Sequence, residues 1–73
     1  MNISLGCISK SICEQLDEQN IKYDPDVISK LQTKNKLLCQ LKFMGLFPPG
    51  QINKAYDKLF KQVENHVKEM LDK

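Results

Sequence analysis

The sequence predicts a small all-α protein, an antiparallel three-helix bundle. Apolar side chains return at every third or fourth position in three separate segments, which is the spacing of an amphipathic helix. Glycine and proline number only three each, and all but Gly6 lie at residue 25 or at residues 45–50, so few strong breaks interrupt these segments. The chain has 73 residues, too few for two independent cores, and we expect one domain over residues 1–73.

The first helix is expected over residues 4–20. Four apolar residues recur along it at steps of three and four: Leu5, Ile8, Ile12 and Leu16. Its start is open, because Ser4 could cap it early, whereas Ser11 followed by Glu14 would form a capping box that begins it later. Asn20 tolerates the left-handed conformation of a helix end and indicates where the helix stops.

The second helix is expected over residues 25–44. Asp24 is typical of an N-cap, with Pro25 at the first helical position. Gly45 suits the left-handed residue of a Schellman ending. The apolar stripe is interrupted at residues 32–36, which read Gln-Thr-Lys-Asn-Lys, so the helix either exposes its middle or bends there.

The third helix is expected over residues 50–72, after a stiff corner at residues 47–50 that contains two prolines. Its apolar periodicity is the most regular in the chain. The face comprises Ile52, Ala55, Tyr56, Leu59, Phe60, Val63, Val67, Met70 and Leu71. This face is wider than one partner helix requires, which indicates that part of it contacts something else.

Charge is concentrated in the middle of the chain. All 11 basic residues are lysine, and residues 30–61 hold seven of them against one acid. They are Lys30, Lys34, Lys36, Lys42, Lys54, Lys58 and Lys61. If they converge on the second and third helices, they could bind nucleic-acid phosphates. Without arginine or tryptophan, base recognition and strong stacking are disfavoured, so this is the alternative hypothesis.

The three cysteines, an odd number without a C-x-x-C pair, disfavour a disulfide scaffold and favour reduced thiols in the cytoplasm. Together with His66 they have the composition of a zinc site, but their spacing matches no common finger, so we expect no metal and no cofactor. The sequence contains neither a signal-peptide pattern nor an apolar run of the ~20 residues needed to cross a bilayer, so we expect no membrane partner.

The expected function is that of a small non-catalytic interaction or adaptor module. No nucleophile–base set, phosphate loop or metal triad can be assembled, which disfavours an enzyme and a small-molecule substrate. The partner would be another protein, or a second copy in a homodimer, bound through Phe47, Tyr56, Phe60 and Val67. By analogy alone, the size and the Lys-, Asn- and Ile-rich composition suit an accessory protein of a phage or mobile element.

Overall fold

A computed structural model describes residues 2–48 and 50–72, and these residues form three α-helices. They are α1 (Ile12–Glu18), α2 (Pro25–Phe43) and α3 (Gln51–Leu71). Helix α2 packs against both α1 and α3. The backbone N–H of Asp24 donates to Nε2 of His66 over 2.8 Å, which places the start of α2 beside the later turns of α3, as in an antiparallel pair. The predicted all-α three-helix bundle is confirmed.

The predicted ends of α2 are confirmed in detail. The Asp24 carboxylate accepts the N–H of Asp26 over 3.0 Å, and Pro25 occupies the first turn. At the other end Gly45 adopts a φ of 71°, and the N–H of Leu46 donates to the carbonyl of Leu41 over 3.0 Å. These two features define the Schellman motif, which satisfies carbonyls that the helix leaves unpaired. Pro49 of the predicted corner lies outside the described residues.

The end of α1 is also confirmed, since Asn20 is left-handed with a φ of 57°. Of the two alternatives for its start, the early one at residue 4 is wrong. The helix begins at Ile12, and the Ser11 side chain accepts the N–H of Glu14 over 3.1 Å, so the later of the two caps is used. Gly6 has a φ of 109°, which a helix does not allow, and residues 2–10 run outside the helix.

Replacement of the α1 N-cap, Ser11→Ala, is expected to lower the free energy of unfolding by about 1 kcal/mol, because the amide of Glu14 loses its acceptor. Urea denaturation followed by circular dichroism measures this change. Ser9→Ala is the matched control, since Ser9 is exposed and precedes the helix. We expect the control to stay within about 0.5 kcal/mol of the unchanged protein. Equal effects would show that Ser11 does not cap the helix.

The core lies where the three helices meet. Its buried members are Ile12, Leu16, Ile28, Leu31, Leu59, Val63 and Val67. Half-buried side chains outside the helices, Ile3, Leu5, Ile21 and Tyr23, pack against this cluster. The segment before α1 therefore contributes to the core although it is not helical. None of the described helices combines the length and the apolar character that crossing a bilayer requires.

Helix α2 runs without a break through residues 32–36, and its polar side chains explain the gap in the apolar stripe. Oε1 of Gln32 accepts the N–H of Ile12 over 2.7 Å. Asn35 is 1% exposed and bonds to the backbone of Gly6. The interruption is thus neither an exposed core-facing side nor a break in the helix, because these amides bind backbone groups of Gly6 and Ile12.

The expectation of three reduced cysteines is wrong. Cys7 and Cys39 form a disulfide with a Cα–Cα distance of 5.3 Å, and Cys13 keeps its thiol. The disulfide joins the N-terminal segment to the last third of α2. Residue spacing along a single helix could therefore not predict it. A cytoplasmic location was inferred from reduced thiols, and it loses that support.

Candidate interaction surfaces

The segment before α1 is held as a strap, which we define as residues 2–7 and which bends at Gly6 and Cys7. Three side-chain amides bind its backbone at alternate residues. Gln19 accepts the N–H of Asn2 over 3.0 Å and donates to its carbonyl over 2.6 Å. Gln15 makes the same pair of bonds with Ser4, at 2.6 and 3.0 Å.

The third amide of the strap belongs to Asn35, which accepts the N–H of Gly6 over 2.7 Å and donates to its carbonyl over 3.1 Å. Peptide groups at alternate residues of an extended chain point to one side, so the three amides act like a neighbouring β-strand. The intervening side chains, Ile3 and Leu5, pack against the core. The strap is thereby recognised through both its backbone and its apolar residues.

Tyr56 of α3 lies against the strap at Gly6. A Cβ built on Gly6 would lie 3.8 Å from Cζ of Tyr56. Among the described residues the buried Tyr56 hydroxyl has no hydrogen-bond partner, and burial raises its pKa. With the strap in place, the Tyr56 hydroxyl is therefore a buried polar group without a hydrogen bond to any described residue.

A second surface is the groove between α2 and α3, defined here as the α2–α3 groove. It encloses about 240 Å³. Its lining consists of Lys34, Leu37, Leu38, Ala55, Lys58, Leu59 and Gln62. Lys34 belongs to α2 and Lys58 to α3, and neither forms an ion pair with any carboxylate of the described residues. The groove thus combines apolar side chains with two unneutralised positive charges.

Large apolar side chains are exposed where α2 ends, and we call Phe43, Met44 and Leu46 the apolar corner. Phe43 is 91% exposed, Met44 67% and Leu46 62%. Leu37, two turns earlier on the face of Met44, is 53% exposed and also lines the α2–α3 groove. An apolar surface of this kind on a small protein is typical of an interaction site.

The structure separates the residues predicted to bind a partner. Val67 is only 7% exposed and belongs to the core cluster, although it also lines the depression between residues 20–22 and the end of α3. Tyr56 is half-buried against the strap, while Phe47 and Phe60 are half-buried elsewhere. The sequence analysis assigned partner binding mainly to α3, but three of the four most exposed large apolar residues lie at the end of α2, and the fourth, Leu71, ends α3 with 74% exposure.

All seven lysines of the predicted phosphate site are exposed, but they do not share one face. Lys34 and Lys58 line the α2–α3 groove. Lys36 lies beside Cys7 and Cys39, on the side of α2 that carries the strap. Two helical residues that are two positions apart point about 200° apart, which explains the separation of Lys36 from Lys34.

Tyr23 donates its hydroxyl to the Asp17 carboxylate over 3.0 Å, and this bond, with a smaller contribution from burial, raises the pKa of Tyr23 to about 12. The folded protein therefore keeps the Tyr23 hydroxyl protonated to a higher pH than an ordinary tyrosine, whose pKa is near 10. The stabilisation is complete below pH ~10 and is lost as the pH rises through ~12. We expect Asp17→Ala to lower the pKa of Tyr23, measured by phenolate absorbance in a Tyr56→Phe background. An unchanged titration would contradict the assigned bond.

The amides that bind the strap were missed by the sequence analysis. Gln15 lies on α1 and Gln19 at its C-cap, one turn apart, and Asn35 lies in the polar gap of α2. The gap was the available signal, since a polar group on a core-facing stripe requires a partner. Among the described residues, no group of three or more histidine, cysteine or acidic side chains is placed to share a metal ion.

No protein-family model, curated protein sequence or solved structure matches this chain.

Proposed function

We propose that this protein is a non-catalytic interaction module that binds an amphipathic, acidic helix of another protein through the α2–α3 groove and the apolar corner. The observation that carries the proposal is the position of Leu37, which is 53% exposed between the groove and the corner. A large apolar residue left in water gains free energy when a partner covers it.

The charges of the groove indicate the partner's chemistry. Lys34 and Lys58 flank apolar side chains and lack carboxylate partners among the described residues. A helix that presents leucine-like residues at every third or fourth position, with glutamate or aspartate beside them, would satisfy both features. Opposite charges at the rim contribute mainly to the association rate and to specificity.

The dimensions of the groove favour a helix over a metabolite. Its volume of about 240 Å³ lies below the ~300–1,000 Å³ typical of small-molecule sites. A larger depression of about 650 Å³ lies at the other end of the bundle, but its Lys68 already pairs with Glu64 over 3.7 Å. Lys22 also lines that depression and has no carboxylate partner among the described residues, so what distinguishes the α2–α3 groove is an unpaired lysine on each of its two helices.

Nucleic-acid binding is the second candidate, and the joint position of Lys34 and Lys58 is the observation that favours it. Phosphate binding would depend on the lysines alone and would weaken steeply with salt. Docking of a helix would depend on Leu37 and would persist at high salt, because apolar burial is not screened. Nucleic-acid binding would therefore be lost on substitution of the lysines and at high salt, whereas helix binding would be lost on substitution of Leu37 and kept at high salt.

The test uses a designed amphipathic helical peptide that carries one tryptophan, since this chain has none and peptide fluorescence will report binding directly. We expect a peptide with glutamates beside its leucines to bind at least about tenfold more tightly than the same peptide with lysines. Leu37→Glu should abolish binding. Glu69→Gln, on the exposed surface of α3, is the matched control and should leave binding unchanged.

Equal binding of the glutamate and lysine peptides would refute the proposed partner chemistry. A duplex oligonucleotide that binds instead, with loss of binding in Lys34→Glu and Lys58→Glu, would assign the groove to phosphates. Sedimentation over a concentration series tests the homodimer, in which a second copy would cover the apolar corner and weaken peptide binding as protein concentration rises.

The proposal includes the compartment. Disulfides persist in oxidising compartments and are reduced in most cytosols. The Cys7–Cys39 bond therefore supports an oxidising environment over the cytoplasmic location expected from the sequence. Labelling of thiols in rapidly acid-quenched cells would test this: blocked Cys7 and Cys39 with a free Cys13 support it, and three free thiols contradict it.

A further inference from the structure

We infer that the surface beneath the N-terminal strap is a binding site for extended peptides, occupied by the chain's own residues 2–7 while the disulfide is intact and opened when Cys7–Cys39 is reduced. The site comprises the amides of Gln15, Gln19 and Asn35 together with the apolar surface that Ile3 and Leu5 cover. It is separate from the α2–α3 groove and does not depend on the function proposed there.

The backbone of the occupant is recognised without regard to its side chains. Each of the three amides binds both the N–H and the carbonyl of one residue, at alternate positions of the strap. A segment that is extended over four residues and then bends at a glycine offers the same groups at the same spacing. Peptides that add a strand to a sheet edge are recognised in the same way, through their main-chain groups, but here side-chain amides take the place of the edge strand's backbone.

Selectivity comes from the positions between the amides. Ile3 and Leu5 are half-buried against the core, so the site favours aliphatic residues at two alternate positions. At the next residue, Gly6 adopts a φ of 109° beside the ring of Tyr56, a conformation that favours glycine. The expected ligand is therefore an extended peptide with two alternating aliphatic residues followed by glycine.

The closed state depends on the disulfide. The bonds of Gln15 and Gln19 to the strap are exposed to solvent, where a hydrogen bond contributes little net free energy. Closure also leaves the Tyr56 hydroxyl buried and unpaired among the described residues. The Cys7–Cys39 bond closes one end of the strap, and its removal permits the other contacts to open and re-form.

A reductant can reach this bond. Cys7 is exposed, and both cysteines line a surface depression of about 230 Å³ together with Lys36 and Gln40. A thiolate of a small dithiol attacks one sulfur and forms a mixed disulfide, and its second thiolate displaces the protein sulfur. The dithiol becomes a disulfide as it loses two electrons, and Cys7 and Cys39 each end as a thiol.

The test captures a peptide in the site through Cys39. The full chain carries Cys7→Ser and Cys13→Ser, which leaves Cys39 as its sole thiol. The probe is the peptide Asn-Ile-Ser-Leu-Gly-Cys-Ile, its cysteine activated as a mixed disulfide with thiopyridine. The Cys39 thiolate attacks the peptide sulfur and expels thiopyridone, so one disulfide bond forms as another breaks.

Capture of this probe by Cys39 should be at least about tenfold faster than capture of a control peptide in which serine replaces the first isoleucine and the leucine. A chain whose sole thiol is Cys13 should react with both peptides at one rate. Equal rates at Cys39 would overturn the inference. So would a disulfide between two copies through Cys39 that forms faster than capture, because the surface would then meet a second copy.

A measurement on the unaltered chain removes the dependence on variants. Amide hydrogen exchange is followed at low temperature in sulfate, which favours the folded state. In the reduced protein, the amides of Ser4 and Gly6 should exchange at least about tenfold faster than those of Leu59 and Val63, because the core amides exchange only when the whole protein unfolds. Unchanged exchange of the strap amides on reduction, or a rate for them no faster than that of Leu59 and Val63, would contradict an opening that is confined to the strap.

Discussion

Reduction of the Cys7–Cys39 disulfide is expected to lower the free energy of unfolding by about 4 kcal/mol. The bond joins residues separated by 32 positions, and the chain-entropy relation gives this value for a loop of that length. A chain of 73 residues has a total stability of about 4–11 kcal/mol at the usual stability per residue. The disulfide thus accounts for a large share of the total.

Urea denaturation with and without a dithiol, followed by circular dichroism, measures the effect of the disulfide. Cys7→Ser should reproduce the effect of the reductant, and the reductant should then have no further effect on that variant. Cys13→Ser is the matched control, since its thiol is not in the bond, and it should change stability by less than about 1 kcal/mol. Equal losses in the two variants would contradict the pairing.

Truncation of Leu16 to alanine is expected to lower the free energy of unfolding by about 3 kcal/mol. Leu16 is 0% exposed and is one of two α1 residues in the core cluster. The change removes apolar contacts and leaves a cavity that the surrounding side chains fill only in part. Because α1 has only seven residues, it depends on this packing to stay folded.

The control for Leu16 is Leu37→Ala, which removes the same atoms from a position that is 53% exposed. We expect that loss to stay below about 1 kcal/mol, because little apolar area returns to water and no cavity forms. Thermal unfolding and urea unfolding should both find Leu16→Ala less stable than Leu37→Ala. A loss for Leu37→Ala as large as that for Leu16→Ala would show that α2 buries the opposite face.

Local signals in the sequence were sufficient to predict helices α2 and α3. Asp24 and Pro25 fix the start of α2, Gly45 fixes its end, and both act through bonds within a few residues. The regular apolar face of α3 predicted its core residues, such as Leu59 and Val63. Such features are predictable because their causes are short-range.

The strap was not predictable in the same way, because its partners are distant in the chain. Leu5 and Ile8 match the helical spacing of Ile12, which favoured a helix from residue 4, but Leu5 packs from an extended segment. The bond of Asn35 to Gly6 spans 29 positions. Helical periodicity does not show that a polar residue on an apolar stripe binds a backbone from another segment.

The candidate surfaces were predictable only in outline. Total lysine content identified Lys34 and Lys58, but only the packing of α2 on α3 shows that they share a groove from which Lys36 is excluded. The sequence pattern does not show whether an apolar residue at a helix end, such as Phe43, is buried or exposed, because that depends on how the helices pack. Its 91% exposure was therefore not available from the pattern.

Nuclear Overhauser spectroscopy of the oxidised protein tests most directly whether the N-terminal segment is an extended strap bound by side-chain amides. We predict contacts from the side-chain NH₂ protons of Gln19, Gln15 and Asn35 to the backbone of Asn2, Ser4 and Gly6, respectively. Consecutive amide–amide contacts of a helix along residues 4–10, without those side-chain contacts, would contradict the strap and the inferred peptide site together.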